Sequence, residues 1–154
     1  MTGISFDRAE RVVDLGPLAD YVGFHLRLAQ AASFQAFAKL ADGIDLQPGR
    51  FALLALISHN PGLTPTALSL ASGRDKSTIT PALRDLERRG LVVRRRAPED
   101  GRSFTLTLSA TGEATMRALE VHAEAHERAL DRIVGPDNKA EFLRTLRRIT
   151  LALG

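Results

Sequence analysis

At Gly90 the hydrophobic pattern of this chain changes period, and that change constrains the fold more than any other feature. Before it, Ile79, Leu83 and Leu86 recur at the spacing that aligns side chains on one face of a helix. After it, Leu91, Val92 and Val93 read as a short strand, and Phe104, Thr105, Leu106, Thr107 and Leu108 alternate strictly, as a half-buried strand does. Between the strands lies a charged tip, Arg94 and Arg95 through Pro98 and Gly101 to Arg102, with the turn residues a hairpin needs. Upstream, Thr64 followed by Pro65 predicts an N-cap and a first helical residue, opening a short helix through Ala71. Ser72, Gly73 and Arg74 form a tight turn, Asp75 caps the next helix, and Gly90 ends it.

Two short helices joined by a Gly-containing turn are a helix-turn-helix, whose second helix is shaped for a major groove. A β-hairpin directly after it makes the winged version. Helix pairs with short turns are common. The order helix, tight turn, helix, Gly, strand, basic tip, strand is far more specific.

The flanking segments read as long helices. Residues 18–41 contain no proline and carry two apolar stripes, one through Leu18, Val22, Leu26, Ala29, Ala36 and Leu40, the other through Tyr21, Phe24, Leu28, Ala31 and Phe34. A surface helix of a monomer usually shows one stripe, so two imply either a second subunit or a central place in a monomer. Residues 42–45 end that helix, and Pro48 opens the next at its first position, where a missing N–H costs nothing. Phe51, Leu53, Leu54, Leu56 and Ile57 read as buried, and Asn60, Pro61 and Gly62 as a turn. Ser109 caps a further helix to about Val134, Gly135 and Pro136 break it, and Asp137 caps a last one striped by Phe142, Leu146, Ile149 and Leu153. The expected fold class is therefore mainly α with a small β-hairpin wing. It comprises an N-terminal dimerisation helix region (1–47), a winged helix-turn-helix DNA-binding domain (48–109) and C-terminal dimerisation helices (110–154).

Composition removes several alternatives. With no cysteine among 154 residues, disulfides, Cys-based zinc sites and thiol redox sensing are excluded. No apolar run approaches the roughly 18 residues of a membrane span, and residues 1–14 lack the apolar core of a signal peptide, so the cytoplasm and no membrane partner are expected. Residues 74–102 hold nine basic residues against five acids, a net +4 in a chain whose net is +3. The positive charge thus sits on the helix-turn-helix and wing, where phosphate neutralisation requires it.

Asp75, Lys76, Ser77, Thr78, Ile79 and Thr80, followed by Leu83, Leu86-Glu87-Arg88-Arg89-Gly90-Leu91-Val92, Arg95-Arg96, Asp100-Gly101-Arg102-Ser103 and Leu108-Ser109-Ala110-Thr111-Gly112, resemble the MarR family of bacterial regulators. The likeness covers nearly the whole chain, and the second helix and wing are its specific parts. It implies a homodimer built from both chain ends, with a pocket between the dimer region and the DNA-reading head. It further implies a transcriptional regulator, typically a repressor on double-stranded DNA, that releases a pseudo-palindromic operator when a small ligand binds; an aromatic acid or acyl thioester is the expected effector. No cofactor and no enzymatic activity are expected. The alternative is a winged-helix protein-interaction module without DNA binding, which would need an apolar outer face on the second helix.

Lys76, Ser77, Thr78, Thr80 and Arg84 lie away from the Ile79/Leu83/Leu86 face and are the candidates for groove contacts, Arg84 as a bidentate guanine reader, with a solvated helix face as the plain alternative. Arg102 matches the family's wing arginine and is the candidate for a narrow minor groove. Asp100 is expected to hold the tip by bonding Arg102 or the backbone, and Arg94, Arg95 and Arg96 to divide between phosphate contacts and packing of their stems. Pro81 departs from the family pattern: many relatives carry a basic or polar reader there, and an internal proline costs about 3 kcal/mol or more. The apolar spacing continues across it, which predicts a persistent, slightly bent helix. Tyr21, Phe24, His25 and Arg27 are candidates for an acidic or acyl ligand, with interface packing as the alternative. His122 and His126, four apart among Glu120, Glu124 and Glu127, have metal-binding spacing but read better as a solvated face.

Overall fold

A computed structural model describes residues 13–44, 46, 47, 49–99 and 101–154. The expected cap contributions of Pro48 and the role of Asp100 therefore lie outside the described residues, as does most of the N-terminal segment. The element order is a 3-10 turn (Gly16–Asp20), α1 (Val22–Leu40), α2 (Gly49–His59), α3 (Pro65–Ser72), α4 (Lys76–Arg88), β1 (Val92–Arg96), β2 (Phe104–Leu108), α5 (Ala110–Val134) and α6 (Pro136–Leu153). This is a winged helix flanked by long helices. No helix among the described residues is long and apolar enough to cross a membrane.

Local chemistry sets most of the boundaries. Thr64 Oγ1 accepts from Ala67 N–H at 3.1 Å and Pro65 takes the first position of α3. Gly73, at φ 65°, closes α3 in the left-handed conformation that a side chain would resist. Asp75 Oδ1 accepts from Thr78 N–H at 2.8 Å to start α4, and Ser109 Oγ accepts from Gly112 N–H at 2.9 Å to start α5. Pro81 leaves α4 unbroken from Lys76 to Arg88. Without an N–H at Pro81, the Ser77 carbonyl lacks its usual donor four residues on.

The starts of two helices differ from the sequence expectation, and the first strand, expected over Leu91 to Val93, runs on to Arg96. The first long helix starts at Val22, not Leu18: a 3-10 turn precedes it, and Tyr21 is extended (φ −86°, ψ 115°), so Leu18 and Tyr21 do not share its stripes. The last helix is preceded by Gly135 in a positive-φ conformation (φ 84°, ψ 139°) that glycine adopts readily, with Pro136 at its start. Asp137 is inside the first turn, where its charge suits the helix dipole, and supplies no cap bond.

The hairpin pairs Val92 with Leu108, Arg94 with Leu106 and Arg96 with Phe104, antiparallel. β1 thus runs through all three arginines, because cross-strand bonds to 104–106 hold their backbone extended. Leu63 adds a bridge to the free edge of β2: Leu106 N–H donates to the Leu63 carbonyl at 2.8 Å and Gly62 N–H to the Leu106 carbonyl at 3.0 Å. One core joins the elements. Leu53, Leu54, Ile57, Leu68, Leu83, Leu86, Leu106 and Leu119 are fully buried and come from α2, α3, α4, β2 and α5. Gly112 lets α5 approach β1 closely, since a Cβ there would stand 2.0 Å from the Leu91 carbonyl oxygen.

Candidate nucleic-acid interface

Helix α4 divides into two faces. Ile79, Ala82, Leu83 and Leu86 are buried, whereas Lys76, Ser77, Thr78, Thr80, Pro81, Arg84 and Arg88 are exposed. The burial that fixes the inner face therefore aims the outer one at solvent. Among the described residues, Lys76, Arg84 and Arg95 enter no ion pair, so their charges are available to phosphates or bases. Ser77 Oγ instead donates to Asp75 Oδ1 at 2.8 Å. That bond, with those from the Thr78 side chain and backbone, holds the Asp75 carboxyl below the usual range. Ser77 keeps acceptor capacity only.

The three wing arginines separate by strand alternation. Arg94 is spent on structure: its Nε and Nη2 donate to Glu87 Oε1 and Oε2 at 2.8 and 3.2 Å, tying β1 to α4. Its guanidinium also sits 5.2 Å from the Phe104 ring centre, and that of Arg96 lies 5.8 Å from the same ring. Arg96 Nη1 also donates to the Gly101 carbonyl at 3.1 Å, bracing the tip. Arg95, on the other face of the ribbon, is exposed. Arg102 is exposed at the tip beside Gly101, whose φ of 62° makes the turn.

A charge cluster that the spacing did not reveal sets the pose of α4 on α2. Asp85 Oδ1 accepts from Arg88 Nη2 at 2.6 Å and Arg89 Nε at 3.2 Å, and its Oδ2 lies 3.8 Å from Arg50 Nε. Burial pushes the Asp85 carboxyl up, but the hydrogen bonds and charges of Arg88 and Arg89 outweigh it and hold it below the usual range. Arg50 Nε is buried without a hydrogen-bond partner among the described residues, so its charge leans on Asp85. Next to it, Arg74 Nη2 donates to the Gly49 carbonyl at 3.2 Å, fixing the turn before α4 to the start of α2.

On the far side of α2, a cavity of about 260 Å³ opens between α1, α2 and α5. Phe34, Phe37 and Phe51 form its apolar walls, and Ser33, His126 and Glu127 its polar edge. Here the solvated-face reading of His126 fails. The residue is buried, hydrogen-bonded through Nε2 to Ser33 Oγ at 2.8 Å, and edge-on to Phe37 with ring centres 5.9 Å apart. No group of three potential metal ligands occurs among the described residues. Tyr21, just before α1, and Phe24, His25 and Arg27 in its first turns do not line this cavity. Phe24, His25 and Arg27 group together: His25 lies edge-on to Phe24 and its Nε2 donates to the Ala19 carbonyl at 2.7 Å, and Arg27 stands 5.4 Å from the Phe24 ring centre.

Comparison with known proteins agrees with this geometry. A family model described as MarR family matches residues 44–103, from just before α2 to the tip of the wing, ending ahead of β2. A protein described as a transcriptional regulator for the hcr operon of Thauera aromatica is 36% identical over 106 residues, covering 68% of this chain; the chain spans 64% of that relative's length. Among solved structures, the transcriptional repressor CouR bound to a 23-mer DNA duplex superposes with a TM-score of 0.78 at 35% identity, covering 89% of this chain and 97% of that one. CouR bound to p-coumaroyl-CoA gives the same TM-score at 33% identity, over 89% and 96%. The PcaV regulator of Streptomyces coelicolor with its natural ligand gives 0.81 at 28% identity, over 94% and 100%. These relatives are transcriptional regulators, not enzymes. With its winged helix, its buried-in, basic-out α4 and these relatives, the chain belongs to the MarR family of transcriptional regulators.

Proposed function

We propose that this protein is a cytoplasmic repressor that binds a pseudo-palindromic operator as a homodimer and releases it when a small acidic aromatic molecule or its acyl thioester occupies the α1/α2/α5 cavity. The observation that carries the DNA reading is the outer face of α4. It is polar and cationic while every core-facing residue of that helix is buried, and no apolar patch suits it to a protein groove. Lys76, Ser77, Thr78, Thr80 and Arg84 face the major groove in this reading, with Arg95 and Arg96 at phosphates and Arg102 in the minor groove. Arg94 contributes by holding the wing against α4, and Asp100 by shaping the tip.

Dimerisation is supported by unpartnered apolar surface at both chain ends. Helix α6 buries none of its residues, and Phe142, Leu143, Leu151 and Leu153 are exposed, as are Tyr21, Val22 and Phe34 around α1. We assign residues 1–47 and 110–154 to the dimer region and 48–109 to the reading head. The effector reading is supported by a cavity with three phenyl walls and a polar edge, and by the ligand-bound relatives. Tyr21, Phe24, His25 and Arg27 are proposed as its outer contacts, reached by a ligand longer than the cavity. A mobility shift with the gene's own upstream DNA over a salt series tests the core claim. A competitor-resistant shift that weakens with salt is expected; none at any salt would overturn it. Arg102→Ala is expected to weaken binding by about 1–3 kcal/mol, and unchanged affinity would remove Arg102 from the interface.

A further inference from the structure

We infer that Pro81 is a base-reading residue, selecting a thymine in each half-site through its 5-methyl group; the inference rests on the DNA-binding reading above. Successive helical residues turn by roughly 100°. From the buried centre of α4, set by Ile79, Ala82, Leu83 and Leu86, the outermost ridge then runs through Ser77, Pro81, Arg84 and Arg88. All four are exposed, and Pro81 occupies the second turn of the helix, in the N-terminal half that reaches base edges in helix-turn-helix docking.

The chemistry of that ridge is uneven. Ser77 is bonded to Asp75, Arg88 to Asp85, and Arg84 enters no ion pair among the described residues. Pro81 alone offers neither donor nor acceptor, in the side chain or at the backbone nitrogen. It presents three ring methylenes held at a fixed angle, so contact loses no side-chain rotamer freedom. The major-groove edges of the base pairs display hydrogen-bonding groups and one methyl, that of thymine, where cytosine carries only a C5–H. A rigid apolar knob between Ser77 and Arg84 therefore discriminates for that methyl and against bases that present only polar edges beneath it. Helical continuity completes the argument: Lys76–Arg88 is unbroken, so the ring is carried at the same depth as its neighbours.

The test separates a methyl contact from a merely structural proline. The full-length protein is used to select duplexes from a random pool, and each thymine of the selected site is then replaced singly by uracil, which removes the methyl and keeps the pairing. Burying one methyl predicts a loss of about fourfold in affinity per half-site at one thymine position, the others changing little. With Pro81→Ser, the same uracil replacement is expected to cost nothing beyond the remaining positions. A wild-type scan with no sensitive thymine overturns the inference while leaving DNA binding intact. So does a penalty of equal size in Pro81→Ser. If no duplex is selected at all, the DNA-binding reading falls and the inference with it. The wild-type scan needs no variant, so the fold of Pro81→Ser cannot decide the matter alone.

Discussion

Helices α4 and α6 are both amphipathic and similarly rich in arginine, yet one buries its apolar side in the core and the other does not. Helix α4 buries Ile79, Ala82, Leu83 and Leu86 against the core and turns only polar groups and one proline outward. Helix α6 buries nothing along 18 residues and leaves Phe142, Leu143, Leu151 and Leu153 in solvent. The contrast separates two kinds of exposure. A polar outer face is stable in water while it waits for a polyanion; an apolar one is stable only when another surface covers it. Helix α4 thus has its apolar side covered by the shared core, whereas α6 leaves apolar side chains that the proposed dimer would cover.

The contrast breaks most visibly in the core. Leu86→Ala, at a fully buried position under α4, is expected to lower stability by about 2–5 kcal/mol in denaturant unfolding. Leu151→Ala, at a position 84% exposed, should cost far less unless the dimer covers it. Equal losses would erase the distinction. Next in size is Phe142→Asp, which places a charge on the uncovered face of α6. Sedimentation should show dimer affinity weakened by about 2 kcal/mol or more while the circular dichroism of the head is kept. A variant that remains fully dimeric would move the interface elsewhere.

Asp85→Asn probes how α4 is held. It removes the counter-charge of the half-buried Arg50 and two arginine partners, and a loss of about 1–3 kcal/mol is expected. The acid side gives the sign. A carboxyl whose folded pKa is depressed contributes stability above its unfolded value of about 3.9, and that contribution is lost as pH falls through the lower folded value. Asp75 and Asp85 are both depressed. The stability gap between wild type and Asp85→Asn should therefore be full at neutral pH and close below about pH 3.9. A gap that widens toward acid would contradict the assignment. The smallest effect expected is Thr64→Ala, about 1 kcal/mol from the lost cap of α3, read as a modest fall in melting temperature.

Much of the reading head was legible because its signals are local. Thr64, Asp75 and Ser109 cap the helices that follow them, since a cap bond spans only three residues. The stripe Ile79, Leu83 and Leu86 and the alternation of 104–108 each state their own period. The misread boundaries are local contests with nearly balanced outcomes. Leu18 has helical neighbours, yet Gly16 and Pro17 favour a tight turn that closes before Val22. Asp137 is a good cap by type, but Pro136 ahead of it suits the first helical position, which moves the cap to Gly135.

What sequence alone determined was the class of fold, the helix that faces outward and where positive charge concentrates, because periodicity, caps and charge counts depend on neighbours a few residues apart. Tertiary structure alone decided the rest. It spent Arg94 on Glu87, laid Arg96 over Phe104 and left Arg95 outward. It also joined Ser33 to His126 across 93 residues at the edge of the cavity, a lining that no motif names. Strand pairing and helix packing choose such partners, and the energy that selects them lies in burial and desolvation summed over distant segments, which no local pattern contains.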